Sequence, residues 1–355
     1  MGAPAQQSNG RKSLGAIRLR SPTVAVAVAL ILAVLVSAEL LARTELARRW
    51  MVTPSVGTTH HSFEIKLEMI EEFARRGPID CLMIGNSMVA QGINPAAVEQ
   101  VYRERTGRSL RCFNFGVDSA TAPTTIDLAR ILVAKFRPKL LVIGTSPYDF
   151  EPGARPRTIA HSPWLRYRKG ETNFRGWLTE HSAAYRYLLT HRQWIRPDYW
   201  KQMNTLQRRR MYMRQDGFRP MPNRKKGGNF PQCRMDNRPN ERARRAMAAL
   251  ADFTRDGIEV LTVEMPFVIG RNPCFKHRPA RYRALAHMIA KQATAHRIPH
   301  LRSYPFDAIP DIGWWDPGHL NQVGAEHLSR WLGEQLAASH PDGIVGPVDV
   351  AQASE

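Results

Sequence analysis

The chain has 355 residues, 43% of them hydrophobic, enough for one large domain or a domain with a sizeable insertion, and this argues against a wholly disordered protein. Lys and Arg number 51 against 31 Asp and Glu, a net charge of +20 that favours anionic partners: nucleic acid, an acidic membrane face or acidic glycans. A solvated basic surface with no such partner accounts for the charge as well. The four cysteines form no Cys-x-x-Cys pair, the histidines show no ligand spacing, and the adjacent pair His60-His61 cannot readily face one ion, so neither a metal nor another cofactor is assigned.

Residues 1–21, rich in Gly, Ala, Ser and Gln with Arg11, Lys12, Arg18 and Arg20, read as a disordered basic tail. Residues 22–42 read as a transmembrane anchor: Pro22 to Ala38 carries no charge, and Leu40-Leu41 extend the apolar run past Glu39 to about the length that crosses a bilayer. The basic residues ahead of it predict a cytoplasmic amino terminus, and so a single-pass inner-membrane protein with its body outside the cytoplasm, in the periplasm. A cleaved signal peptide is the rival, with Val36-Ser37-Ala38 as the cleavage site, but the run is longer than most signal cores. Residues 43–78 read as a juxtamembrane connector in which Glu64 to Phe73 has helical periodicity and is expected to pack on the body.

The body is expected at 79–338, with an insertion at 151–239. Cys81 to Ile84 is a short unbroken apolar run, as in a buried parallel strand, and it stops at Gly85-Asn86-Ser87. A helix over Pro95 to Thr106 follows, with Asn94 as its cap and Gly107 to end it. Ser109 to Phe115 is a second strand ending in Gly116, Thr124 to Phe136 a helix, and Leu140 to Ile143 a third strand ending at Gly144. The insertion breaks this rhythm. It is rich in Arg, Tyr, Trp, Pro and Gly, with helical character over Trp177 to Trp194 and basic clusters at Arg208-Arg209-Arg210 and Arg224-Lys225-Lys226. The alternation resumes with a helix over Glu241 to Thr254, a strand over Ile258 to Val263, a helix over Arg281 to His296, a short strand over Pro299 to Ser303 and a last helix over Val323 to Ala338; residues 339–355 read as a disordered tail. Strands alternating with helices predict an α/β fold, a flavodoxin-like three-layer α/β/α sandwich on about five parallel strands, with a mostly helical or irregular insertion and an N-terminal transmembrane helix.

Ser87 stands at the carboxyl end of a predicted strand, where open α/β sheets place their sites. A turn serine is the plain explanation. Far along the chain, however, Trp314-Trp315-Asp316-Pro317-Gly318-His319-Leu320-Asn321 sets a carboxylate three residues before an imidazole, on a loop entering the last helix. A nucleophilic serine needs a base, and the base needs an acid to fix its tautomer.

Gly85-Asn86-Ser87 together with Asp316-x-x-His319 resembles the SGNH (GDSL-like) hydrolase superfamily, and within it the membrane-anchored branch related to polysaccharide O-acetylation proteins, whose first block reads Gly-Ser/Asn-Ser. The resemblance covers about 80–149 and 258–336. It implies a catalytic Ser87, His319 and Asp316, and an oxyanion hole from the Ser87 and Gly116 amides. The family's third block, Gly-x-Asn-Asp, has no Asn here: the strand end reads Gly144-Thr145-Ser146-Pro147, leaving Ser146 or Thr145 to donate a hydroxyl. Asp149 is either a support, a substrate-hydroxyl contact or a plain turn residue. Trp315, with Trp314, either stacks on a sugar or wedges the loop. The other histidines are expected to be structural or solvent-facing.

The function implied is a membrane-anchored, extracytoplasmic, serine-dependent acyl (acetyl) esterase or transferase on an envelope or secreted polysaccharide. Its expected partners are an acylated glycan or other small ester, the membrane through the N-terminal helix, and polysaccharide-modification machinery, with no nucleic acid. The alternative is a catalytically silent glycan-binding or scaffold subunit of such machinery; a basic nucleic-acid-binding protein would require a cytosolic body. Export makes a Cys233–Cys274 disulfide the expected pairing, with Cys81 and Cys112 buried as small apolar side chains.

Overall fold

The computed structural model describes residues 22–50, 55–58, 60–150, 157–191, 210–223, 239–266, 268–271, 279–302 and 309–344. The expected N-terminal tail, residues 345–355 of the expected C-terminal tail, the Cys233–Cys274 pairing, Arg208-Arg209 and the Arg224 cluster lie outside these residues, whereas Ser339, expected in the tail, ends the last helix. The chain divides into two units, Met1–Trp50 and Met51–Glu355.

In the first unit, α1 (Pro22–Ala42) buries none of its residues. Its 21 residues rise about 31 Å at 1.5 Å each, close to the thickness of a hydrocarbon core. It is the one helix among the described residues long and apolar enough to cross a membrane. The short α2 (Glu45–Trp50) follows, its start capped by the Thr44 hydroxyl, which accepts from the Ala47 amide at 3.2 Å.

The second unit is a flavodoxin-like α/β/α sandwich. Its five-stranded sheet has the order β2-β1-β3-β4-β5, with β1 Cys81–Gly85, β2 Cys112–Gly116, β3 Leu140–Thr145, β4 Glu259–Glu264 and β5 His300–Leu301, all pairs parallel. Both faces of the sheet are covered, which is why these strands read as unbroken apolar runs. Leu82, Ile84, Phe113, Phe115, Leu141 and Ile143 face one core, filled by α3 (His61–Arg75), α6 (Ala122–Phe136) and α11 (Pro239–Arg255). Cys81, Met83, Cys112, Leu140 and Val142 face the other, filled by α5 (Pro95–Thr106) and α13 (Gln322–Ser339). Helix α12 (Pro279–Ala295) sends Ile289 to the first core and Tyr282 to the second. Cys81 and Cys112, directly paired across β1 and β2, are buried free thiols. The insertion contributes short helices, α7 (Arg157–Ala160), α8 (Pro163–Arg168), α9 (Phe174–His181) and α10 (Ala183–His191).

One boundary differs from the expectation. Helix α3 is part of the body, not of a connector: Phe63, Ile65 and Ile70 are fully buried. The body therefore begins near Ser55, not at Ile79. The buried Glu64 ties the preceding segment down, accepting from the Val56 amide (2.7 Å), the Thr58 amide (2.8 Å) and the Thr58 hydroxyl (2.6 Å). Glu64, Lys66 and Glu68, charged as they are, are all buried.

Candidate active site

Strand β1 ends at Gly85, and after one residue the chain starts a short helix, α4 (Ser87–Gly92). Six residues cannot hold a helix by themselves. Two features hold this one. The Asn86 carboxamide oxygen caps it, accepting from the Met88 amide at 2.7 Å. Below it, β1 and β2 end in glycines, Gly85 and Gly116, and Gly144 is the last residue but one of β3. A Cβ at Gly85 would come within 2.5 Å of Val89 Cγ2, one at Gly144 within 2.1 Å of the same atom, and one at Gly116 within 2.3 Å of the Ala90 nitrogen. The glycines let α4 lie directly on the strand ends, with half-buried Ser87 at its first position. The Ser87 amide is thus one of the N–H groups a helix leaves without an internal acceptor. The sequence reading missed α4, because six residues are too few to show a helical period.

The Asp316 block is a hairpin, not a loop. β6 (Trp314–Asp316) pairs antiparallel with β7 (His319–Leu320) across Pro317-Gly318, and Asp316 lies opposite His319. Asp316 Oδ1 accepts from the Gly318 amide at 2.8 Å, which closes the turn. His319 Nδ1 lies 2.9 Å from each Asp316 carboxylate oxygen, and His319 Nε2 lies 2.8 Å from Ser87 Oγ. A proton on Nδ1, held by the carboxylate, leaves the Nε2 lone pair facing the serine hydroxyl. Burial alone would raise the Asp316 carboxyl, but the hydrogen bond and charge of His319, with the Gly318 and His319 amides, hold it below the ordinary carboxylate value. The fold thus brings together Ser87, His319 and Asp316, from positions 232 residues apart.

The expected oxyanion donors are arranged differently. The Gly116 amide donates to Asn114 Oδ1 at 2.9 Å. The Ser146 hydroxyl is fully buried and donates to Asp149 Oδ2 at 3.0 Å, and the Thr145 hydroxyl donates to the Val263 carbonyl at 3.2 Å. Of the expected donors, only the Ser87 amide is left by its position. The turn after β2, closed by Ala120 N donating to the Val117 carbonyl at 3.1 Å, holds Ser119 at φ 56°, the left-handed region that serine rarely enters. That strain marks a residue the sequence did not single out.

Asp149 faces inward rather than toward a substrate. Its Oδ1 accepts from Asn86 Nδ2 at 2.7 Å and its Oδ2 from the Ser146 amide and hydroxyl, so it steadies the residue that caps α4. Burial pushes its carboxyl up to about 7, against the opposing effect of these hydrogen bonds. An acid whose folded pKa exceeds its unfolded value keeps a proton that the unfolded chain releases, so its contribution to stability is present at low pH and is lost as pH rises through the folded pKa. Thermal unfolding should therefore show a contribution that declines between about pH 4 and pH 7. In Asp149→Asn this slope should be flat, although one donor–donor contact with Asn86 lowers stability throughout. An unchanged slope in the variant would remove Asp149 as its source.

Trp314 packs into the core, and Trp315 is half-buried beside Asp316. His181, expected to be structural or solvent-facing, bonds Tyr167 through its Nε2 at 3.2 Å. Among the described residues no group of three His, Cys, Asp or Glu side chains could hold a metal ion.

The insertion also reaches the site, which nothing in its sequence indicated. Residues 210–223 run from α3, where Arg210 pairs with Glu68 at 3.0 Å, along the β2 edge, where Asn114 N donates to the Asp216 carbonyl at 2.8 Å. They then cross α4, with Arg219 N donating to the Ala90 carbonyl at 3.0 Å, and end at α13, with Gln322 N donating to the Met221 carbonyl at 3.0 Å.

No family model matches the chain, and no curated protein matches it. Among solved structures, it is similar to a lipase/acylhydrolase from Enterococcus faecalis, at 12% identity over 74% of this chain and 97% of that one, with a TM-score of 0.39. An inhibitor-bound aryl esterase from M. smegmatis matches at 12% identity over 73% of this chain and 98% of that one, with a TM-score of 0.35. A GDSL-like lipase from Bacteroides thetaiotaomicron matches at 12% identity over 76% of this chain and 97% of that one, with a TM-score of 0.35. These superpositions are too loose to bear on function, which is left to the geometry around Ser87.

Proposed function

We propose that the protein is an SGNH-type serine esterase or acyltransferase, anchored in the cytoplasmic membrane by α1 with its body outside the cytoplasm. In this reading it moves an acetyl group on or off an envelope or secreted polysaccharide. The observation that supports it best is the unbroken line from Asp316 through His319 to Ser87, at 2.9 and 2.8 Å, at the carboxyl end of β1. Ser87 Oγ attacks the ester carbonyl while its proton passes to His319 Nε2. The tetrahedral oxyanion is received by the Ser87 amide. Our candidate for a second donor is the backbone of the strained turn at Ser119, since such strain is held at functional positions. Collapse returns the proton from His319 to the leaving alcohol. Water, or a sugar hydroxyl, then gives its proton to His319 and attacks the acyl-enzyme, releasing Ser87. Trp315, half-buried beside Asp316, is our candidate for stacking on a sugar ring. The apolar α1 and the basic surface agree with an anchored protein that meets anionic envelope material.

A silent binding subunit is the second reading, favoured by the inward bonding of the Gly116 amide and the Ser146 hydroxyl. Intact mass of the full chain in detergent after a fluorophosphonate separates the two. One adduct, formed by Ser87 Oγ displacing fluoride and absent from Ser87→Ala, is the expected result; a folded chain that takes no adduct would favour the binding subunit.

A further inference from the structure

Lys66 is a costly residue in its place. It lies on α3 with no exposed surface, and among the described residues no carboxylate pairs with it. The two nearby acids are held by arginines: Asp118 by Arg219 through two 2.6 Å bonds, and Asp216 by Arg214 at 3.2 Å. Burial pushes the Lys66 ammonium well below its ordinary value, with the Arg219 charge adding to this and Asp118 and Asp216 opposing it. An apolar side chain of the same length would serve the core better, because an unpaired buried cation must be desolvated without a counter-charge. The hydrogen bonds it makes offset only part of that cost, so stability alone gives little reason for a lysine here.

Its bonds do. Lys66 Nζ donates to the Asn114 carbonyl at 2.9 Å and to Asn114 Oδ1 at 3.1 Å. Asn114 is itself fully buried, and its Oδ1 also accepts from the Gly116 amide at 2.9 Å. An oxygen that faces two donors cannot exchange places with the amide nitrogen, so Lys66 and the Gly116 amide together fix which way the Asn114 carboxamide points, and Lys66 also holds the Asn114 backbone carbonyl. Its Nδ2 is thereby turned to α4, donating to the Val89 carbonyl at 2.8 Å and to the Ile93 carbonyl at 2.6 Å. These lie at the carboxyl end of a six-residue helix whose other end is held by Asn86.

We propose that Lys66 and Asn114 are positioning residues, a buried clamp that holds the end of α4 and through it sets the Ser87 hydroxyl at hydrogen-bonding distance from His319. The proposal rests on Ser87 being the nucleophile. It implies that the lysine trades stability for placement of the serine, a pattern seen where function strains a fold.

The test uses the full chain in detergent and three readings: the unfolding midpoint, the rate constant of fluorophosphonate labelling, and amide hydrogen exchange of the 87–93 segment. In Lys66→Met we expect a midpoint close to wild type, since the relieved desolvation of the lysine offsets the Asn114 carbonyl left unpaired, with labelling slower by about tenfold or more and faster exchange confined to that segment. Asn114→Asp keeps an acceptor for Lys66 but sets oxygen against the Val89 and Ile93 carbonyls, and should slow labelling likewise. Lys66→Met that labels at the wild-type rate overturns the clamp. A midpoint that falls together with faster exchange throughout the body also overturns it, since the lysine would then be merely structural. If Lys66→Met does not fold, Asn114→Asp decides by the same labelling and exchange readings. A wild-type chain that takes no label sinks the nucleophile reading instead, and unchanged exchange at 87–93 in Lys66→Met then sinks the clamp independently.

Discussion

Asp316→Asn should lower turnover of a chromogenic acetate ester by about 10⁴-fold while leaving the unfolding midpoint close to wild type. The carboxylate now holds a proton on His319 Nδ1 from 2.9 Å, leaving the Nε2 lone pair toward Ser87. A carboxamide in the same place turns its NH₂ toward Nδ1, because its oxygen is claimed by the Gly318 amide, which donates to Oδ1 at 2.8 Å. The NH₂ at the Oδ2 position opposes a proton on Nδ1, and the lost charge no longer stabilises the imidazolium, so the imidazole is biased toward the tautomer with its proton on Nε2, in which Ser87 faces a donor instead of a base. The hairpin itself is kept by the Asp316–His319 backbone pairing, so the loss should be in turnover and not in folding. Ester hydrolysis of the variant beside wild type, with unfolding followed in parallel, checks it. A drop of less than about tenfold would mean that Asp316 does not set the tautomer, and the proposed chemistry would need another acid.

Gly116→Ala should be strongly damaging although it adds a single methyl. The added Cβ would lie 2.3 Å from the Ala90 nitrogen, 2.7 Å from Ala90 Cα and 2.9 Å from the Asn86 carbonyl oxygen. All three are backbone atoms, so no side chain can swing aside. Either α4 lifts from the sheet or the end of β2 moves away from β1, and both displace Ser87 relative to His319. Overpacking of this kind costs about 1–3 kcal/mol or more, and the Ser87 label should be lost with it. Gly270→Ala is the control: a Cβ there meets nothing within 4 Å, so its unfolding midpoint should stay near wild type. Gly116→Ala that melts and labels like wild type would show that α4 is not pinned by the strand ends.

These expectations divide along the line between local and distant determinants. The apolar runs at Cys81, Leu140 and Val260, each closed by a change to polar or turn residues, announced buried parallel strands, and the α5 helix runs over the expected Pro95 to Thr106 with Gly107 at φ 71° beyond it. Those features depend on a residue and its near neighbours. Likewise the three-residue spacing of Asp316 and His319 pointed to a pair that the hairpin sets opposite one another, and the resemblance, not the spacing, named Ser87 as the third member.

What the residues could not announce is which partner each polar group takes when several are possible. The Gly116 amide is claimed by Asn114, the Ser146 hydroxyl by Asp149 and the Asn114 carboxamide by Lys66 and α4, in competitions among groups up to 48 residues apart. Charged side chains such as Glu64 and Lys66 are usually solvent-facing; the packed sheet edge and the folded Ser55 segment make these two interior. Sequence alone determined the layers of this protein and the three residues that meet at Ser87. The tertiary structure decided what surrounds them, because a buried hydrogen bond is assigned by which donors and acceptors the fold leaves without water.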